Sequence, residues 1–153
     1  MIVWRLCRRP YADLSGEGAR LLGGRWNSPG RPVVYFAEHP ALAALEVRVH
    51  LDLPFELLPS DFVLVRATVP DDLIGESGRP LVQALSEIAT VAAGDEWLAQ
   101  GRIAAMRVPS VLLSYAWNIL LNPRHPDAAR VSIDSIEPFQ FDPRLWQPLA
   151  TEG

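Results

Sequence analysis

The chain has 153 residues, 49% hydrophobic and 21% charged, a balance that excludes a disordered chain and suffices for one domain with its own core. Its 14 basic residues, all arginine, stand against 18 acids for a net charge of −4, which argues against nucleic acid as the main partner. The lack of lysine removes Schiff-base, Walker and Ser-Lys chemistry, and no apolar run approaches the ~20 residues of a membrane span.

The opening Met-Ile-Val-Trp-Arg-Leu predicts a first strand over Ile2–Leu6. No basic segment followed by a cleavage site is visible there, so no signal peptide is expected and the cytoplasm is the expected compartment. Tyr11–Leu22, with glycines at 16 and 18, reads as a loop with a helical turn. Val33–Phe36 predicts a second strand. His39-Pro40 opens a helix that runs to about Val49, with proline at its favoured first position. Phe62–Val69 alternates as a well-buried strand. Leu81, Leu85, Ile88 and Ala92 recur at helical spacing, which predicts a helix over Pro80–Ala93 that Gly94 stops. Asp95–Gln100 then reads as one more turn, capped by Asp95. Ile103–Val108 and Val111–Leu113 read as strand, Asn118–Leu121 as a short apolar segment, and Val131–Phe141 as one or two last strands. Strands outnumber helices and do not alternate with them, so residues 1–153 are expected to form a single compact α+β domain.

The densest signal is Gly23-Gly24-Arg25-Trp26-Asn27-Ser28-Pro29-Gly30. Its glycines let backbone approach a ligand, and Arg25 offers a planar fork for phosphate oxygens. Glu46 falls with Leu42, Leu45 and Val49 on what the spacing marks as the core-facing stripe of its helix. A carboxylate there is paired, protonated or lining a cavity, and a structural pair with an arginine competes evenly with a functional role. Tyr35 either stacks on an aromatic ligand or fills the core. Ser110 has no Gly-x-Ser-x-Gly elbow around it, so it is expected to bond a substrate or orient Glu46. Histidines 39, 50 and 125 show no metal spacing and Cys7 has no partner, so neither a metal site nor a disulfide is expected. An arginine fork, an aromatic ring and a sheltered carboxylate suit a nucleotide, and a dinucleotide in particular.

Taken in order, Trp4-Arg5-Leu6, Gly16-Glu17-Gly18-Ala19-Arg20, Gly23-Gly24-Arg25-Trp26-Asn27, Tyr35, Ala44-Leu45-Glu46, Trp97-Leu98, Val108-Pro109-Ser110 and Asn118-Ile119-Leu120-Leu121-Asn122-Pro123-Arg124-His125-Pro126 resemble the RES domain, the toxin half of bacterial RES–Xre toxin–antitoxin modules. Ser110, with its Val-Pro prefix, matches the family serine better than Ser114. The resemblance implies a fold like that of the ADP-ribosyltransferase toxins and an enzyme that consumes NAD as substrate, needing no cofactor. It would cleave the nicotinamide–ribose bond by hydrolysis or phosphorolysis, or transfer ADP-ribose to a protein. It further implies an Xre-type antitoxin as partner, in a complex that can be of higher order and that contacts DNA only through that partner. By the same resemblance Glu46 would stabilise the oxocarbenium-like ribose, Arg25 would hold pyrophosphate, Tyr35 would stack on nicotinamide and Ser110 would bond ribose or Glu46. Trp26, Asn27, Arg5 and Asn118 are further candidate binding residues. An RNase is disfavoured by the acidic charge, and a non-catalytic nucleotide-binding module is the alternative from another class.

Overall fold

In a computed structural model, which describes residues 1–77 and 86–146, the apolar runs of the sequence become the strands of one sheet. They are β1 (Ile2–Arg8), β2 (Val34–Ala37), β3 (Phe62–Thr68), β4 (Ile74–Glu76), β5 (Ala105–Pro109), β6 (Trp117–Leu121) and β7 (Ser132–Pro138). Their order is β4-β5-β6-β2-β1-β3-β7, and every neighbouring pair is antiparallel except β4 with β5. With three α-helices among the described residues, α1 (Glu17–Leu22), α2 (Pro40–Arg48) and α3 (Glu87–Gln100), the fold is α+β. None of these helices is long and apolar enough to cross a membrane.

Alternation along the strands divides the core. Val3, Val34, Phe36, Ala67, Ile119 and Leu121 pack on one face of the sheet. On the other, Leu120, Met106 and Val108 meet Trp26 and Trp97, while Leu6 and Ala37 meet Leu42 and Ala43 of α2. The loop holding Arg25 and the helix holding Glu46 therefore sit on the same face.

Local chemistry explains where α2 begins. His39 caps it by accepting from the Ala41 amide through Nδ1 at 3.1 Å, and Pro40 occupies the first turn. Its buried residues are Leu42 and Ala43, whereas Leu45 and Val49 of the expected stripe are exposed. Behind α2, the Arg48 guanidinium stacks 4.0 Å over the Trp146 ring and donates to the Leu145 carbonyl.

Several expectations are corrected. Gly94 does not end a helix and Asp95 does not cap one, because α3 runs through both from a Ser86 cap to Gly101. The expected start at Pro80, with Leu81 and Leu85, lies outside the described residues. Of the same stripe, Ile88 is 83% exposed, and the face that packs is Thr90, Gly94 and Trp97. Val111–Leu113 is loop rather than strand, its turn tied off by the Ala116 amide on the Leu113 carbonyl. Val131–Phe141 supplies one strand, β7, after which Phe141 packs edge-on to Phe62 and Phe139. The short strand β4 was not anticipated, for three residues carry too little pattern.

Candidate active site

The sheet opens at its centre. Between β1 and β2 the registered pairing is the single pair Trp4↔Ala37, whereas β1 pairs with β3 along its whole length. Where the strands part there is a cleft of about 380 Å³, lined by Trp4–Cys7 from β1 and Tyr35–Ala37 from β2. Because consecutive strand residues point to opposite faces, the opening is lined by Trp4 and Leu6 from one face and by Arg5 and Cys7 from the other.

Ala43, Glu46 and Val47 of α2, with His50 just past its end, close one side of this cleft. These recur at i, i+3, i+4 and i+7, one turn-face away from the stripe that the apolar spacing suggested. Glu46 reaches a polar nest: its Oε1 accepts from Ser110 Oγ and from Asn118 Nδ2, both at 2.8 Å. Ser110 is 2% exposed, and its Oγ in turn accepts from the amides of Leu112 and Leu113. The serine thus relays backbone dipoles to the carboxylate and fixes its rotamer. Both bonds end on Oε1, which leaves Oε2 without a protein partner among the described residues. A half-buried carboxylate held this way has a fixed direction, with one oxygen turned to whatever occupies the cleft.

Arg25 lines the same cleft from the glycine-rich loop. That loop is clamped from two sides. From β2, the Tyr35 hydroxyl accepts from the Trp26 amide at 3.0 Å and donates to Asn27 Oδ1 at 2.6 Å. Asn27 Nδ2 donates to the carbonyls of Ala19, Ser28 and Arg31. Gly24 is needed here, since a Cβ on it would lie 2.8 Å from the tyrosine oxygen. From α3, Thr90 Oγ1 donates to the Arg25 carbonyl at 2.7 Å, and Asp95 accepts from the amide and hydroxyl of Ser28. Helix and loop touch at Gly94, where a Cβ would stand 1.7 Å from the Trp26 carbonyl oxygen.

Burial pushes the Tyr35 phenol well above its usual range, so the hydroxyl stays protonated and serves as a fixed donor. Burial likewise pushes the Cys7 thiol up, away from the thiolate that a nucleophile requires. Arg5 holds the carbonyls of Tyr11 and Asp13 through Nη1 while lining the cleft.

The chain matches the RES domain model over residues 2–142. It belongs to the RES family. Among curated RES relatives, it is 39% identical over 150 residues to "Toxin Res" of Pseudomonas putida, covering 95% of this chain and 100% of that protein. It is 37% identical over 154 residues to the "Prs ADP-ribosylating toxin" of a Sphingobium species, covering 93% and 94%. Among solved structures, the M. tuberculosis MbcT–MbcA toxin–antitoxin complex contains a similar fold, with a TM-score of 0.76 and 20% identity over 95% of this chain and 86% of that one.

Within this RES domain the structure brings Arg5, Arg25, Tyr35, Glu46 and Asn118 to one cleft, with Ser110 directly behind Glu46. Trp26 and Asn27 are not in its lining. At 4% and 1% exposure their side chains support the loop from within, and the hydroxyl of Tyr35 is committed to them, leaving its ring to face the cleft. Thr90, Gly94 and Asp95 were missed as contributors, because their partners are distant in sequence and no local spacing announces them. Tyr35→Phe removes two buried hydrogen bonds and is expected to cost about 2 kcal/mol. Thermal unfolding should show this as a Tm lower by roughly 4–8 °C for a domain of this size.

Proposed function

We propose that this RES domain is the toxin of a toxin–antitoxin module and that it cleaves the nicotinamide–ribose bond of NAD. The observation that carries the reading is the half-buried Glu46 carboxylate, oriented by Ser110 and Asn118 in a cleft that also holds Arg25 and Tyr35. When the bond breaks, its electron pair leaves with nicotinamide, which becomes neutral, and positive charge remains on the ribose. A fixed carboxylate beside the ribose stabilises that oxocarbenium-like charge. The same carboxylate orients the incoming acceptor; with water as acceptor, the proton passes from the attacking oxygen to Glu46 and on to solvent. Arg25 supplies the cation for the pyrophosphate, held in place by the α3 clamp rather than by its own side chain alone. The ring of Tyr35 offers a flat face for nicotinamide.

The toxin role rests on the relatives named Toxin Res, and the protein partner on the likeness to a toxin–antitoxin complex. An Xre-type antitoxin that brings the DNA contact fits the net charge of −4. A second reading, transfer of ADP-ribose to a protein, is favoured by the relative named as an ADP-ribosylating toxin. NAD labelled in its adenosine half separates the outcomes. Labelled ADP-ribose, or its phosphorylated form when inorganic phosphate is present, is the expected product. Label retained on a protein band would select the second reading, and intact NAD after long incubation would overturn both.

A further inference from the structure

The cleft continues past the reacting end. A second lobe of about 320 Å³ shares a wall with the first, formed by Arg5, Cys7, Gly18, Ala19, Leu22 and Tyr35, and adds Tyr11, Leu21 and Val33 as its own lining. Glu46, Asn118, Arg25 and His50 line only the first lobe. The second lobe therefore has no carboxylate and no amide side chain in its walls; it presents the rings of Tyr11 and Tyr35, aliphatic groups and the Cys7 thiol, with one guanidinium at the boundary.

We propose that this second lobe receives the adenine half of the dinucleotide, stacked against Tyr11 and covered by Leu21 and Leu22. The inference deepens the proposed function and rests on it. Three features support it. Leu22 is 86% exposed, Leu21 53% and Tyr11 40%, so apolar groups that add little to the core are gathered at one rim, where a flat apolar ligand would cover them. Tyr11 is held ready from both ends. Its carbonyl accepts from Arg5 Nη1 at 2.8 Å, and its ring edge lies over Gly18, where a Cβ would meet Cδ1 at 3.7 Å. The linker between the two halves of the ligand must cross the shared wall, and there Arg5 presents its charge, its place fixed by the carbonyls of Tyr11 and Asp13. Arg5 thus positions the stacking ring and meets the pyrophosphate from the second lobe, while Arg25 meets it from the first and the reacting ribose is left to the Glu46 end.

NAD and nicotinamide mononucleotide carry the same scissile bond, but only NAD has the adenylate half. Wild type, Tyr11→Ala and Tyr11→Phe, each shown folded by circular dichroism, are compared by kcat/KM for both substrates. Loss of one base stack predicts that the NAD-to-mononucleotide ratio falls about tenfold in Tyr11→Ala. Tyr11→Phe, which keeps the ring face, should retain the wild-type ratio. A wild-type ratio near one, or an equal loss on both substrates in Tyr11→Ala, would overturn the assignment. If wild type releases nicotinamide from neither substrate, the proposed reaction falls. Direct calorimetric titration with ADP-ribose then decides the lobe by itself: binding that weakens about tenfold in Tyr11→Ala upholds it, and binding that ignores Tyr11 overturns it.

Discussion

Glu46→Gln is expected to leave a folded protein that has lost nearly all nicotinamide release from NAD. The amide has the shape of the carboxylate, and its oxygen can still accept from Ser110 Oγ and Asn118 Nδ2, so the contacts that pin α2 to β6 survive. The charge does not survive. Stabilisation of a developing charge by one preorganised group is worth about 10²–10³ in rate, and the role of orienting the acceptor is lost with it. A fall in kcat of at least about 10²-fold, with an unfolding midpoint close to wild type, is the expected pair of readings. Turnover within about tenfold of wild type would remove Glu46 from the chemistry and return it to the structural role that its helix position equally allows.

The second large effect is one of packing. In an ordinary exposed helix, replacing glycine by alanine gains about 1 kcal/mol. At Gly94 the sign should reverse, because the new Cβ would stand 1.7 Å from the Trp26 carbonyl oxygen and 2.6 Å from its carbon. Backbone lies on both sides of that contact, so no side chain can turn away to relieve it. Either α3 lifts from the loop or the loop shifts, and overpacking of this kind costs about 3 kcal/mol or more. The same movement pulls on the Thr90 bond to the Arg25 carbonyl and the Asp95 bonds to Ser28. Gly94→Ala should therefore unfold at markedly lower denaturant concentration and bind NAD more weakly. Equal or greater stability would show that helix and loop are not in contact as described.

These residues also show how far the sequence could be read. The start of α2 was legible because its signals are local: His39 accepts from the Ala41 amide and Pro40 brings no N–H that would need a partner. Gly94-Asp95 has the local appearance of a helix stop followed by a cap, yet serves neither purpose. A glycine that lets two backbones touch and an aspartate that binds a distant loop leave the same one-dimensional trace as a terminus. Glu46 was reached as a carboxylate among apolar neighbours, but Leu45 and Val49 beside it are exposed, and its own face is that of Ala43, Val47 and His50. Amphipathic spacing identifies a periodic helix; it cannot tell a core from a cleft that is itself apolar.

The bond between Ser110 and Glu46 joins residues 64 apart in the chain, and the sequence offered it only as one of two roles for Ser110, beside a bond to substrate. The split between β1 and β2 was wholly hidden. It depends on strand register, which follows from packing across the sheet and not from the composition of either strand. That split creates the cleft, so residues of its lining such as Arg25, Tyr35 and Glu46 could be named from the sequence while its shape could not.

The reaction proposed for this cleft is cleavage of the nicotinamide–ribose bond. It is tested most directly by following free nicotinamide while purified, folded protein is incubated with excess NAD. Release should continue well beyond one nicotinamide per protein chain. No release, or release that stops at a single equivalent in the absence of any protein acceptor, would contradict it.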